Sequence, residues 1–229
     1  MKSIGEATEA SYHFPQGTHL GHIMYILYII GTDSVKGSRI DEQYVKFTGG
    51  YDDVLGKFQR QTKFKLQAMM EMGLLVDYRK TTDDSFSLIF TNKGEQVYNA
   101  LKDLLPTIDF SFKTGGKAEI SWEMNCESTI NQIIRNYLKQ NQNAQIIVRD
   151  IFLEMDAVNL LLKYLYSIQR KIVILKSDIY DDFFEAPFVK QYLDRHGIEP
   201  ASKEGTRHRI PFLFNILETL GIIDQRTQE

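Results

Sequence analysis

Apolar positions recur at helical spacing through most of the chain, and one stretch breaks into short β-rich runs. LGHIMYILYII, residues 20–30, has no polar face and predicts a buried helix, stopped by Gly31, Thr32 and Asp33. GSRIDEQYVKF follows with Ile40, Tyr44 and Phe47 on one side of a short helix. In the turn TGGY, residues 48–51, the glycines can take positive φ. Asp52 or Asp53 then caps a long helix that runs to Met72 and ends at Gly73. LLVDYRK and SFSLIF, joined by the polar turn TTDD, predict a hairpin, and NKGEQVYNALKDLL predicts a helix up to Pro106.

PTIDFSFKTGGK, residues 106–117, combines a proline and paired glycines with no periodicity, so it reads as a linker. The expected organisation is an N-terminal arm over 1–16, a first domain over 17–106, a linker over 107–117 and a second, helical domain over 118–229. In that second part, residues 127–141 and 146–169 read as helices. IVIL, residues 172–175, is a short apolar run. Ser177 or Asp178 caps a further helix, broken at Pro187 and ended at Gly197. Ile210, Leu213, Phe214, Leu217 and Leu220 share one face of a last helix, with Pro211 in its first turn. Its ending LETLGII echoes MMEMGLL at residues 69–75.

The order helix, helix, turn, helix, hairpin, helix over residues 17–105 resembles the winged helix-turn-helix DNA-binding superfamily, including the multiple-antibiotic-resistance-type repressors. Two motifs carry the resemblance. In MMEMGLLVDYRK a recognition-like helix ends in Gly-Leu-Leu, and in IFTNKGEQVYNAL a second wing strand runs into a helix. It implies a mainly α fold with small β-hairpins (α+β), and double-stranded DNA as partner. With the echo at LETLGII, the layout becomes tandem winged helix-turn-helix subdomains, the second lacking its wing. That layout resembles the DNA-recognition part of type IIS restriction endonucleases, which implies a nuclease domain outside this chain. Two other readings stay open: a stand-alone transcription or replication regulator, dimerising through the helices at 127–169, and a winged-helix protein-interaction module.

Net charge is −3 and neither half is basic, so a nucleic-acid site has to be a local patch. From residue 54 to residue 70 there are four basic groups and no acid. On a helical wheel Leu55, Phe58, Thr62, Leu66, Met69 and Met70 face the core. Lys57, Arg60, Gln61, Phe64 and Gln67 fall opposite, flanked by Lys63 and Lys65. Arg and Gln suit base edges in a major groove and Lys suits phosphates. The plainer reading is a solvated helix face. Arg79 and Lys80 sit at the wing, although Asp83 and Asp84 beyond them would repel phosphate, and Lys36 and Arg39 are candidate phosphate clamps. In the second half Lys203, Arg207, His208 and Arg209 open the recognition-like helix. There His208, Phe212, Asn215 and Thr219 lie opposite the apolar face. The structural alternative pairs these arginines with Asp181, Asp182 or Glu185.

The remaining chemistry is mostly exclusion. Cys126 is the single cysteine, so no internal disulfide or zinc cluster is expected. His13, His19 and His22 lack a further ligand at suitable spacing, and no metal or cofactor is expected. Phosphate-loop, nucleophile-elbow and nucleotide-fold glycine signatures are missing. No Asp or Glu has Lys two residues after it, and no His-x-Lys pair occurs, so catalytic nuclease residues are not expected either. The longest strongly apolar run, residues 23–30, falls far short of the ~20 residues a bilayer needs. With no signal-like start, the expectation is a cytoplasmic protein without a membrane partner.

Overall fold

The computed structural model describes residues 20–32, 66, 68–75, 79–80, 86–87, 90–108, 118–168, 179–180, 182–198 and 203–223. Helix takes 82% of them. The elements are α1 (Leu20–Thr32), β1 (Arg79–Lys80), β2 (Phe86–Ser87), α2 (Asn92–Leu101), α3 (Ala118–Gln140), α4 (Gln142–Leu153), α5 (Asp156–Ile168), α6 (Pro187–His196) and α7 (Lys203–Thr219). Short 3-10 turns lie at Leu105–Thr107 and Phe183–Glu185.

The expected α+β class with β-hairpins and tandem winged subdomains is therefore corrected to a helical fold. Extended pairing among the described residues amounts to Arg79 opposite Ser87, Lys80 opposite Phe86, and one bridge between Leu75 and Phe90. Strands of two residues cannot form a layer that covers a core, and helices do that work instead.

The predominantly apolar sequence of α1 has a direct consequence. Leu20, Ile23, Met24, Ile26, Leu27, Ile29 and Ile30 are all buried, so the helix has neighbours on nearly every side. It packs against α2, α3, α7 and the turn at Leu105–Thr107. Burying one such side chain contributes roughly 1.5–3 kcal/mol, which makes α1 the axis of the core.

The boundary expected at 107–117 does not separate two cores. Residues 109–117 lie outside the described parts, but the helices on either side share one hydrophobic cluster. α4 packs along α2, and α3 packs on α1. The Tyr137 hydroxyl donates to the Ala100 carbonyl at 3.4 Å, and Lys93 pairs with Glu154.

The helix expected over 146–169 is two helices. Glu154 and Met155 interrupt it, and the Asn159 side-chain amide donates to the Leu153 carbonyl left open at the end of α4. The buried positions then change phase, from Ala144, Val148, Ile151 and Phe152 on α4 to Ala157, Val158, Leu161 and Tyr164 on α5. Pro187 opens α6 at its first position, where a missing N–H is harmless, and Gly197 at φ +63° closes it.

Pro211 is not in a first turn. α7 begins at Lys203, which places this proline inside the helix. Its ring crowds the carbonyl four residues back and removes one hydrogen bond. The helix persists because Ile210, Phe212, Leu213, Phe214, Ile216, Leu217 and Leu220 are all buried around it.

Candidate nucleic-acid interface

The strongest basic patch from the sequence, Lys57, Arg60, Gln61, Lys63 and Phe64, lies outside the described residues, as do Lys36, Arg39 and the side chain of Gln67. The end of that segment is described. Residues 66 and 68–71 are helical, with Leu66, Ala68, Met69 and Met72 buried. Gly73 leaves the helix at φ +70°. Its N–H donates to the Met70 carbonyl at 2.9 Å, and the Leu74 N–H donates to the Met69 carbonyl at 2.8 Å, the paired bonds of a Schellman cap.

The next helix locks onto this cap. Thr91 is the N-cap of α2: its Oγ1 accepts from the Gly94 N–H at 3.1 Å, and its hydroxyl donates to the Gly73 carbonyl. The Thr91 N–H donates to the Leu74 carbonyl at 3.1 Å. Gly94 is buried against that same carbonyl, where an added Cβ would sit 1.9 Å from its oxygen. Only glycine permits this approach. The backbone of Arg79 and Lys80 is placed in the short ladder above this junction, while their side chains lie outside the described parts.

On α7 the expected groove-facing surface is corrected. Phe212 is 2% exposed and Thr219 is 2% exposed, so the face assigned to DNA points into the protein. Arg209 is 5% exposed, which removes it from a groove-reading role. Burial pulls its guanidinium pKa down, and the nearby Glu71 carboxylate pushes it back up. Arg209 thus faces the helix end at 66–71 across the core. Asn215 is half-buried and already engaged. The side chains of Lys203, Arg207 and His208 lie outside the described parts. From Arg209 to Leu220 the helix is enclosed on nearly all sides and that part cannot enter a groove; sequence periodicity missed this because Thr219 and Arg209 count as polar.

A second surface went unnoticed in the sequence. Residues 129–149 hold three cations, eight Asn or Gln side chains and no acid. They form the end of α3 and the start of α4, joined by Asn141 alone. Asn141 steps out of helical conformation at φ −122°, ψ 81°. Its N–H and its side-chain amide both donate to the Tyr137 carbonyl, at 3.0 and 2.9 Å. Ile130, Ile134, Leu138, Ala144 and Val148 turn inward, leaving Gln132, Asn136 and Lys139 exposed on α3, and Gln142, Asn143, Ile146 and Arg149 on α4. The signal was composition, but amides carry no charge and so vanish from charge arithmetic.

Among the described residues no three His, Cys, Asp or Glu side chains are grouped to hold a metal, and no helix is long and apolar enough to cross a membrane. Burial, and then its hydrogen bond to Asp156, push the Tyr192 hydroxyl far above the usual tyrosine range, which makes it a poor nucleophile or base. No protein family, curated protein or solved structure matches the chain.

Proposed function

We propose that this chain binds double-stranded DNA with sequence preference through the basic segment that leads into the helical end at 66–71. The observation that carries the reading is charge: four cations and no acid between residues 54 and 70, in a chain of net charge −3. The described end of the segment is tied to the core by buried Leu66 and Met69 and by the cap at Gly73. The tandem winged layout that led to a restriction endonuclease is not the fold observed, so the proposal stops at duplex DNA and names no nuclease partner.

The test is selection from a random duplex library, followed by affinities for enriched and scrambled duplexes at fixed salt. Enrichment of a short motif is expected, with Arg60→Ala losing about 1–3 kcal/mol of specific affinity. A palindromic motif would add a dimer to the reading. No enrichment, with weak and wholly salt-dependent binding, would overturn sequence preference.

A further inference from the structure

The acid-free corner between α3 and α4 has no place in the reading above, and its chemistry is specific. On α4, Gln142, Asn143, Ile146 and Arg149 recur at three- and four-residue spacing, so they share one exposed face. On α3, Gln132, Asn136 and Lys139 do the same. Ile146 stays 50% exposed in the middle of these polar groups, where a core-forming side chain would be covered. Neither Lys139 nor Arg149 forms an ion pair among the described residues. Elsewhere Lys93 is paired with Glu154, Lys190 with Glu185 at 2.6 Å, and Lys163 lies over the Phe188 ring. Asp150 bounds the face at its far end.

We propose that this corner is a second contact face for duplex DNA: Gln142, Asn143, Ile146 and Arg149 meet base edges, and Lys139 meets the phosphate backbone. The inference rests on duplex binding as the protein's function and adds where a second part of the duplex lies. Charge complementarity selects the occupant, because Lys139 and Arg149 form no ion pair among the described residues and residues 129–149 carry no acid, which suits a polyanion. The amides select the mode. Asn and Gln can give and take hydrogen bonds at an adenine edge, Arg matches guanine, and an apolar side chain meets a thymine methyl. Net charge hides such a surface, since most of its polar groups are neutral.

The experiment uses the full chain and a fluorescent 20-base-pair duplex, with affinity measured across a salt series. In Lys139→Ala the slope of log affinity against log salt should fall by about one, and in Arg149→Ala binding to the selected motif should weaken roughly tenfold or more while the slope is kept. The thermal midpoint should not change, because both side chains are exposed. Asn143→Ala should lose preference for the selected motif over scrambled DNA while keeping the slope. If the intact chain binds and Arg60→Ala weakens it, but the corner variants keep wild-type slope and preference, the corner is overturned and the proposed function survives. If the intact chain binds no duplex, both fall together. Equal competition by single-stranded RNA would overturn duplex as the occupant. A change in sedimentation at unaltered DNA affinity would assign the face to a second copy of the chain and overturn the proposal.

Discussion

At Gly73 the chain leaves a helix at φ +70°, and at Gly221 it leaves another at φ +69°. At both ends two backbone bonds close the turn. The Gly221 N–H reaches the Glu218 carbonyl at 2.9 Å, and the Ile222 N–H reaches the Leu217 carbonyl at 2.9 Å, as Gly73 and Leu74 do with Met70 and Met69. After Gly73, Leu75 bridges to Phe90 and Thr91 clamps the turn from the next helix. After Gly221, the half-buried Ile222 and Ile223 simply lie against the core. The echo between MMEMGLL and LETLGII is thus the signature of a helix stop. An apolar residue four before the glycine and another just after it are what a Schellman cap uses. α6 ends the same way at Leu193, Gly197 and Ile198. What makes the first end special is Thr91 and Gly94 downstream, and substitutions there test the comparison most severely.

Gly94→Ala should have the largest effect. Its Cβ would lie 1.9 Å from the Leu74 carbonyl oxygen, a backbone atom that already accepts from the Thr91 N–H, so the junction must open. A loss of about 3 kcal/mol or more is expected in chemical denaturation. Gly221→Ala meets nothing within 4 Å and should be far milder. Similar losses for the two would mean that the junction at Gly73 is no tighter than the free end at Gly221.

Arg209→Ala comes next, because the arginine belongs to the junction through Glu71. Removing it takes away a charge that acts on Glu71 and empties a buried position, at a cost of about 1–3 kcal/mol. In a double-mutant cycle with Glu71→Gln, the coupling should exceed about 0.5 kcal/mol. Additive losses would break the link between α7 and the first helix end. A DNA affinity that falls beyond what the lost stability explains would return Arg209 to the interface.

The legible and illegible parts of the fold divide along the same line. Glycine stops at Gly73 and Gly197, the break at Pro187 and the burial of α1 follow from local chemistry, and each is present. The split of 146–169 at Glu154 was hidden because the apolar spacing continues across it, and the Asn159 amide that caps the Leu153 carbonyl sits inside the second helix. The burial of α7 was hidden because Arg209 and Thr219 look like surface residues until Glu71 and the neighbouring helices are in place. The hairpin motif pointed to strands, and among the described residues the ladder is Arg79 and Lys80 against Ser87 and Phe86. For the candidate site, the basic segment could be read from charge, whereas the amide-rich corner needed the exposed faces of α3 and α4.

Gly73→Ala and Gly221→Ala compare the caps themselves. Each forces a side chain into left-handed backbone, at about 1–2 kcal/mol. At Gly73 the added Cβ meets only Lys93 Cδ at 3.9 Å, so space does not separate the two positions. Equal losses are expected in parallel denaturations. Thr91→Ala should then remove about 1 kcal/mol more, and its coupling should be to Gly73 alone. Coupling of Thr91 to Gly221 would sink the distinction between the two ends.

The smallest effect concerns α6, the helix that ends in the third cap. The Tyr192 hydroxyl donates to Asp156 Oδ2 at 2.8 Å, tying α6 to the first turn of α5. Burial comes first among the causes that raise its ionisation above the ordinary 10.0, followed by the hydrogen bond and the charge of Asp156. A folded-state pKa above the unfolded value gives stability that is complete below about pH 10 and is lost as pH rises beyond it, because the unfolded chain deprotonates first. The pair is exposed enough for solvent to screen it, so Tyr192→Phe should cost only about 0.5 kcal/mol at pH 7. Urea denaturation at pH 8 and pH 11 checks the sign. Stability of the wild-type chain should drop toward that of Tyr192→Phe at the higher pH. A constant gap would mean that the hydroxyl contributes packing rather than the Asp156 bond, leaving α6 held by its buried Val189 and Leu193 and by the cap at Gly197.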